Sequence, residues 1–216
     1  MRTIIDTHTH LYELSDPLAV MAESAASGVS EVIALGVDLA SNRRHLDLFS
    51  LLRAEREETP SADKIYAGLH VALGLHPGNI TAGEIEDCFP LFRKALSEPS
   101  GRSIVALGET GLDYWYKWVR KDEARKREQR EVFERHLALA REFDLPAVLH
   151  SRGAWRDCLD VLRASGVTRA NFHWYSGPAD VLRDLLDSGF MISCTPSLAY
   201  SSEARQAVIY APLDRI

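Results

Sequence analysis

The sequence predicts an α/β chain wound as a (β/α) barrel of the TIM type, and two observations carry that reading. Seven short β-rich runs alternate with amphipathic segments along the 216 residues, a rhythm that demands right-handed crossovers and a parallel sheet. The residues best suited to chemistry, His8, His10, His76, Glu109, His150 and His173, fall at the C-terminal ends of those runs. In a barrel these ends face one common mouth. In an open doubly wound sheet, the competing architecture, they would be strung along an edge.

The elements follow in order. Ile4-Ile5 opens a strand that reads as buried and ends in Asp6-Thr7-His8-Thr9-His10-Leu11. Asp16 to Ser27 reads as a helix capped at Ser15 or Asp16, with Pro17 in its first turn and Gly28 past its end. Glu31 to Gly36 is the second strand, and a helix capped near Ser41 covers the Arg43 to Glu57 region. Tyr66 to Leu75 is the third strand, Glu84 to Ser97 a helix and Ser103 to Gly108 the fourth strand. A long helix follows from about Asp122 to Phe143. Pro146 to His150, Ala170 to Trp174 and Phe190 to Cys194 complete the strands, separated by helices at Arg156 to Ala164 and Ala179 to Ser188. Ala211 to Ile216 reads as the lead-in to an eighth strand. The expectation is therefore one domain over residues 1–216, lacking its eighth strand and helix through C-terminal truncation.

Composition sets limits. With 46% hydrophobic and 26% charged residues the chain has the profile of an ordinary soluble globular protein. No basic leader precedes an apolar core segment, and no apolar run approaches the roughly 18 residues of a membrane span, so a cytoplasmic location is expected. Cys88, Cys158 and Cys194 are far apart and odd in number, which argues against a disulfide framework or zinc ribbon. A net charge of −6 argues against a nucleic-acid coat protein, yet leaves room for an enzyme that grips phosphate locally.

In an extended strand His8 and His10 project to the same side, so two imidazoles converge on one point. Joined by Glu109, His150 and His173 they make the ligand set of a two-metal hydrolytic centre. Nitrogen donors with one carboxylate suit Zn²⁺, and a bridging Glu109 allows two ions at roughly 3.5–4 Å. Taken singly, His150 or His173 reads as a buried histidine bonded to a backbone carbonyl. Their shared position at strand ends is what that blander reading leaves unexplained.

Five motifs then carry a family resemblance. Asp6-Thr7-His8-Thr9-His10-Leu11, Leu73-Gly74-Leu75-His76-Pro77, Gly108-Glu109-Thr110-Gly111-Leu112-Asp113-Tyr114, Pro146 to Ala154 and Phe172-His173-Trp174-Tyr175-Ser176-Gly177 resemble the TatD family of metal-dependent hydrolases and DNases. The resemblance implies an amidohydrolase-type barrel with two divalent ions, Zn, Mn or Mg, hydrolysing phosphodiester bonds of DNA, at single strands or ends, by a water activated between the ions. Carried over, His8 and His10 hold the first ion, Glu109 bridges, and His150 and His173 hold the second. The family's last ligand, an Asp of a Glu-Thr-Asp motif on strand eight, is not in this sequence, which puts activity of this exact chain in doubt. Gly78, Gly153 and the pair Trp174-Tyr175 also depart from the pattern, the last replacing Cys-Phe and re-lining the pocket.

Outside the ligand set, Arg152 reads as a phosphate clamp, because guanidinium matches phosphate bidentately; the plain alternative is a surface arginine. His76 reads as a donor to the scissile phosphate or as a structural neighbour of Pro77. Asp113 is either a carboxylate that orients a ligand or a turn residue. Trp115, Trp118 and Tyr175 are candidates for substrate contact. The basic run from Lys117 to Arg130 carries Asp122, Glu123 and Glu128 as well, so its helical half reads as a solvated face. His45 and His136 lie in helices and read as structural or solvated. Two other functions remain open from the residues: an amidohydrolase acting on an ester, lactone or amide, since the same centre polarises carbonyls, and a non-catalytic barrel subunit of a larger complex.

Overall fold

The computed structural model describes residues 4–58, 66–98, 101 and 103–216. Within them seven strands form one parallel sheet in chain order: β1 (Ile4–Thr9), β2 (Val29–Leu35), β3 (Gly68–Leu73), β4 (Ile104–Gly111), β5 (Ala147–His150), β6 (Ala170–Phe172) and β7 (Met191–Ile192). A doubly wound sheet reverses its order at a switch point. This one never does, so it curls in one sense as a TIM-type barrel, with no eighth strand among the described residues.

Helices α1 (Pro17–Ala26), α2 (Leu39–Glu58), α3 (Ala82–Ser97), α4 (Glu123–Glu142), α5 (Trp155–Ser165), α6 (Ala179–Asp187) and α7 (Ser202–Tyr210) follow the successive strands. None of them is long and apolar enough to cross a membrane. Their starts follow from local chemistry. Asp16 accepts from the Ala19 amide ahead of Pro17, Thr81 accepts from Glu84, and Asp122 accepts from Ala124 and Arg125, each satisfying amides that a first turn leaves free. The expected cap of α2 at Ser41 moves to Asp38, because its carboxylate accepts from the Ser41 amide while the Ser41 hydroxyl accepts from the Asp38 amide, so the helix begins earlier.

Strand alternation divides the core. Outward-facing Val71, Leu73, Leu107, Leu149, Phe172 and Ile192 pack against Phe133 and Leu137 of α4, Leu159 and Leu162 of α5, and Leu182 and Leu185 of α6. The inward neighbours Leu35, Ala72, Ala106 and Val148 form a small inner layer under the mouth. Burying each large apolar side chain contributes about 1.5–3 kcal/mol, so the outer layer dominates the packing energy.

Three expectations change. Ile4 and Ile5, read as buried, are 52% and 53% exposed, because β1 is an edge strand with β2 as its only neighbour in the sheet. Strand β4 runs past Gly108 to Gly111, placing Glu109 inside the strand rather than after it. Ala211 to Ile216, read as the approach to a strand, contains a 3-10 turn at Leu213–Arg215, with the Arg215 guanidinium on the Gly189 carbonyl. Helix α7 has no counterpart among the expected elements.

Candidate metal centre

At the C-terminal ends of the strands a cavity of about 640 Å³ is lined by His8, His10, His76, Glu109, His150, Arg152 and His173. All the chemistry-bearing side chains expected at strand ends therefore share one space, the arrangement that a barrel mouth produces.

Glu109 is its hub. Its side chain is nearly buried; Oε1 accepts from His150 Nδ1 at 3.0 Å, while Oε2 lies 3.5 Å from His8 Nε2 and 3.7 Å from His10 Nε2. Burial alone would raise its pKa, but the hydrogen bonds from His150 and His8 and the charge of nearby histidines outweigh it and hold the carboxyl well below its usual range. Glu109 is a carboxylate at neutral pH.

On one side of that hub His8 Nε2 and His10 Nε2 stand 3.3 Å apart. His10 Nδ1 lies 3.2 Å from the Leu35 carbonyl oxygen, which can only accept, so Nδ1 carries a proton and Nε2 is the atom turned toward His8 and Glu109. Among the described residues His8 Nδ1 is buried without a partner, leaving the polar anchoring of that ring to its Nε2 side. The donor atoms of His8, His10 and Glu109 lie within 4.8 Å of one another. Two imidazole nitrogens and a carboxylate oxygen converging in this way fit a divalent cation.

On the other side His150 is held between carboxylates. Its Nε2 donates to Asp113 Oδ2 at 2.8 Å and its Nδ1 to Glu109. Burial would lower its pKa, but the Asp113 and Glu109 bonds outweigh that and raise it to about 9. Asp113 is itself buried, and its Oδ1 accepts from the Trp115 and Tyr116 amides, so its second oxygen is aimed. Orienting a ligand histidine and closing a turn, the two alternatives for Asp113, are both present.

His76, Glu109 and His150 form a second group of donors within 4.8 Å. His76 is anchored through Nδ1. The Gly78 amide donates to its Nδ1 at 3.0 Å, and burial, followed by the charge of His150, lowers its pKa to about 4. The ring is neutral with its proton on Nε2, so it presents an N–H to the cavity. Such a group binds an anionic oxygen better than a cation.

His173 reaches the cavity beside His8. The two rings stack with centroids 3.4 Å apart, and His173 Nδ1 pairs with Ser193 Oγ at 3.1 Å. Burial and the charge of His8 lower its pKa to about 3, so it too is neutral.

The proposed substrate contacts are redistributed. Tyr175 is buried with its hydroxyl donating to the Pro178 carbonyl, so it packs the core and does not face the cavity. Trp118 stacks on Tyr116 outside the cavity lining, and Trp115 lies under the Arg152 guanidinium at 5.4 Å. Arg152 faces the cavity, braced by that indole. The basic helical run is neutralised locally by Arg125 with Glu128, Lys126 with Glu123 and Arg130 with Glu134. Trp155, Thr195 and Tyr200 line the cavity without any signal in the sequence, and of the pair Trp174-Tyr175 expected to re-line the pocket it is Trp174 that does so.

A TIM-type barrel whose strand ends bring histidines and a carboxylate together is the framework of a metal-dependent hydrolase. The chain belongs to the TatD family: the family described as TatD related DNase matches residues 5–216. A relative in Escherichia coli, named uncharacterized metal-dependent hydrolase YcfH, is 31% identical over 99% of this chain and 75% of its own length. The human protein named deoxyribonuclease TATDN3 is 28% identical over 69% of this chain and 53% of its own. The crystal structure of YJJV, a TatD homologue from Escherichia coli, superposes with a TM-score of 0.76 at 25% identity, covering 98% of this chain and 76% of that one.

Proposed function

We propose that this chain hydrolyses phosphodiester bonds of DNA, at single strands or ends, with two divalent ions held on either side of Glu109. The observation that carries this reading is that the two carboxylate oxygens of Glu109 face different imidazoles, Oε2 toward His8 and His10 and Oε1 toward His150. His8, His10 and Glu109 would hold one ion, with His173 stacked on His8 beside it; Glu109 and His150 would hold the other. Bound there, divalent ions supply Lewis-acid polarisation of the phosphoryl oxygens and a water of lowered pKa.

The chain's own residues do the rest. Glu109 contributes negative charge at no protonation cost, because it is already ionised. Asp113 fixes the ring of His150 through Nε2 and so directs Nδ1 inward. The Nε2–H of His76 donates to a non-bridging phosphate oxygen, and Arg152 pairs with the phosphate from the rim. These contacts strengthen as charge develops on the phosphoryl oxygens. The deoxyribonuclease name of the human relative supports the choice of substrate.

The test is degradation of end-labelled single- and double-stranded oligonucleotides by protein supplied with Mn²⁺, Mg²⁺ or Zn²⁺. EDTA is expected to stop it and added metal to restore it. Protein that binds metal stoichiometrically yet cleaves no nucleic acid would overturn the assignment.

A further inference from the structure

Trp174 follows His173 at the end of β6 and is one of two non-glycine residues with positive φ among those described, at +48°. L-residues enter this region at an energetic cost and persist there only where the surroundings hold them. Here they do. The Trp174 amide donates to Ser193 Oγ at 3.3 Å, the same hydroxyl meets His173 Nδ1, and the Tyr175 amide donates to the Ser193 carbonyl at 3.3 Å. Three consecutive ring side chains thereby take three directions: His173 toward His8, Tyr175 into the core, and Trp174 to the cavity wall.

The indole is 46% exposed, and among the described residues no other ring or cation stacks on it. It shares its cavity with the candidate ligands and with Arg152, and Tyr200, 73% exposed, lines the same space. A large apolar ring held out of the core, on a strained backbone, beside a phosphate-binding set has a free π-face for a planar ligand.

We propose that Trp174 is the platform on which a nucleobase of the substrate strand stacks while the neighbouring phosphate lies against His76 and Arg152. This rests on the phosphodiesterase reading above and adds the strand's base as a recognised element. Stacking on an indole tolerates any base, because each has a π-face, so the subsite selects for a base without reading its identity. A single strand meets the requirement directly, whereas a paired base must first leave its stack.

The test compares wild type with Trp174→Ala and Trp174→Phe, using oligothymidylate and the same oligomer with each terminal base in turn replaced by an abasic sugar. Binding is read by anisotropy in EDTA, where turnover stops, and KM and kcat are read with metal. Thermal unfolding of each variant checks the fold. Trp174→Ala is expected to weaken binding of the base-bearing oligomer and raise KM by roughly 5- to 150-fold, with kcat within about twofold. Trp174→Phe loses less. One of the abasic oligomers should bind wild type as weakly as the parent binds Trp174→Ala, with no further loss in that variant. Equal binding and KM for wild type and Trp174→Ala, in a protein that cleaves DNA, overturn this inference and leave the phosphodiesterase reading standing. Wild type that neither binds nor cleaves any oligomer overturns both.

Discussion

His150 Nε2 donates to Asp113 Oδ2 across 2.8 Å while the opposite nitrogen of the same ring meets Glu109 at 3.0 Å, so one imidazole is clamped between two carboxylates. In the proposed centre the Glu109 carboxylate is a ligand and that of Asp113 orients the ring. Replacing Asp113 by Asn keeps an oxygen for the Trp115 and Tyr116 amides but removes the charge-assisted bond to His150. Affinity for a divalent ion should fall by about 10–100-fold with the fold intact. Chelator competition checks this, and undiminished affinity would make Asp113 a turn residue and nothing more.

Glu109→Gln tests the hub. An amide has no negative charge to share between two cations, and its NH₂ would take the place of one of the oxygens that now face the imidazoles. Metal per chain, measured by elemental analysis after dialysis, should fall from two to one or none. A variant that still retains two ions would refute the bridging role.

His136 sets part of the acid sensitivity. Buried in α4, it accepts from the Leu75 amide at 3.1 Å and donates to the Val132 carbonyl at 2.8 Å. Burial lowers its pKa from 6.5 to about 4. The unfolded chain therefore takes up this proton first as pH falls. The associated stability is full above about pH 6.5, is lost on descending to about pH 4, and amounts to on the order of 3 kcal/mol. His136→Phe should flatten that part of the profile and cost about 1–3 kcal/mol at neutral pH by orphaning the Leu75 amide. Urea unfolding at pH 7.5 and 4.5 reads both effects; identical slopes for variant and wild type would refute the assignment.

His45 presents the opposite case. It is 1% exposed in α2, and neither ring nitrogen has a hydrogen-bond partner among the described residues. Such groups cost stability. His45→Leu, placed among Leu11, Leu48 and Leu51, should gain about 1 kcal/mol, or about 2–4 °C in Tm for a chain of this size. A fall in Tm would mean that the imidazole has a partner in solution.

The histidines of β1 and the positions of Glu109, His150 and His173 were legible because each depends on local rules: period-two projection and the termination of a strand by a turn. Burial of Ile4-Ile5 was not, since it depends on how many strands flank β1 rather than on the apolarity of the pair. Which of Trp174 and Tyr175 would face the cavity was equally hidden. That choice is made by Ser193, nineteen residues beyond Trp174 and just past β7, which holds Trp174 at positive φ. The surroundings of Trp115 and Trp118 were hidden for a related reason. A rim loop near the mouth can spend its indoles on bracing Arg152 and covering Tyr116.

The sequential strand order also bears on how the site comes into being. Every strand pairs with its immediate predecessor, so the sheet can lengthen one unit at a time as the chain leaves the ribosome, with only modest loops to close at each step. His8 and His10 emerge with the first unit, but the carboxylate they face belongs to the fourth and the imidazole on its far side to the fifth. A nascent chain therefore carries its histidines past solvent metal with only paired imidazoles to offer. Capture with carboxylate support begins only when β4 docks, about halfway along the chain, and the imidazole on the far side of that carboxylate follows with β5.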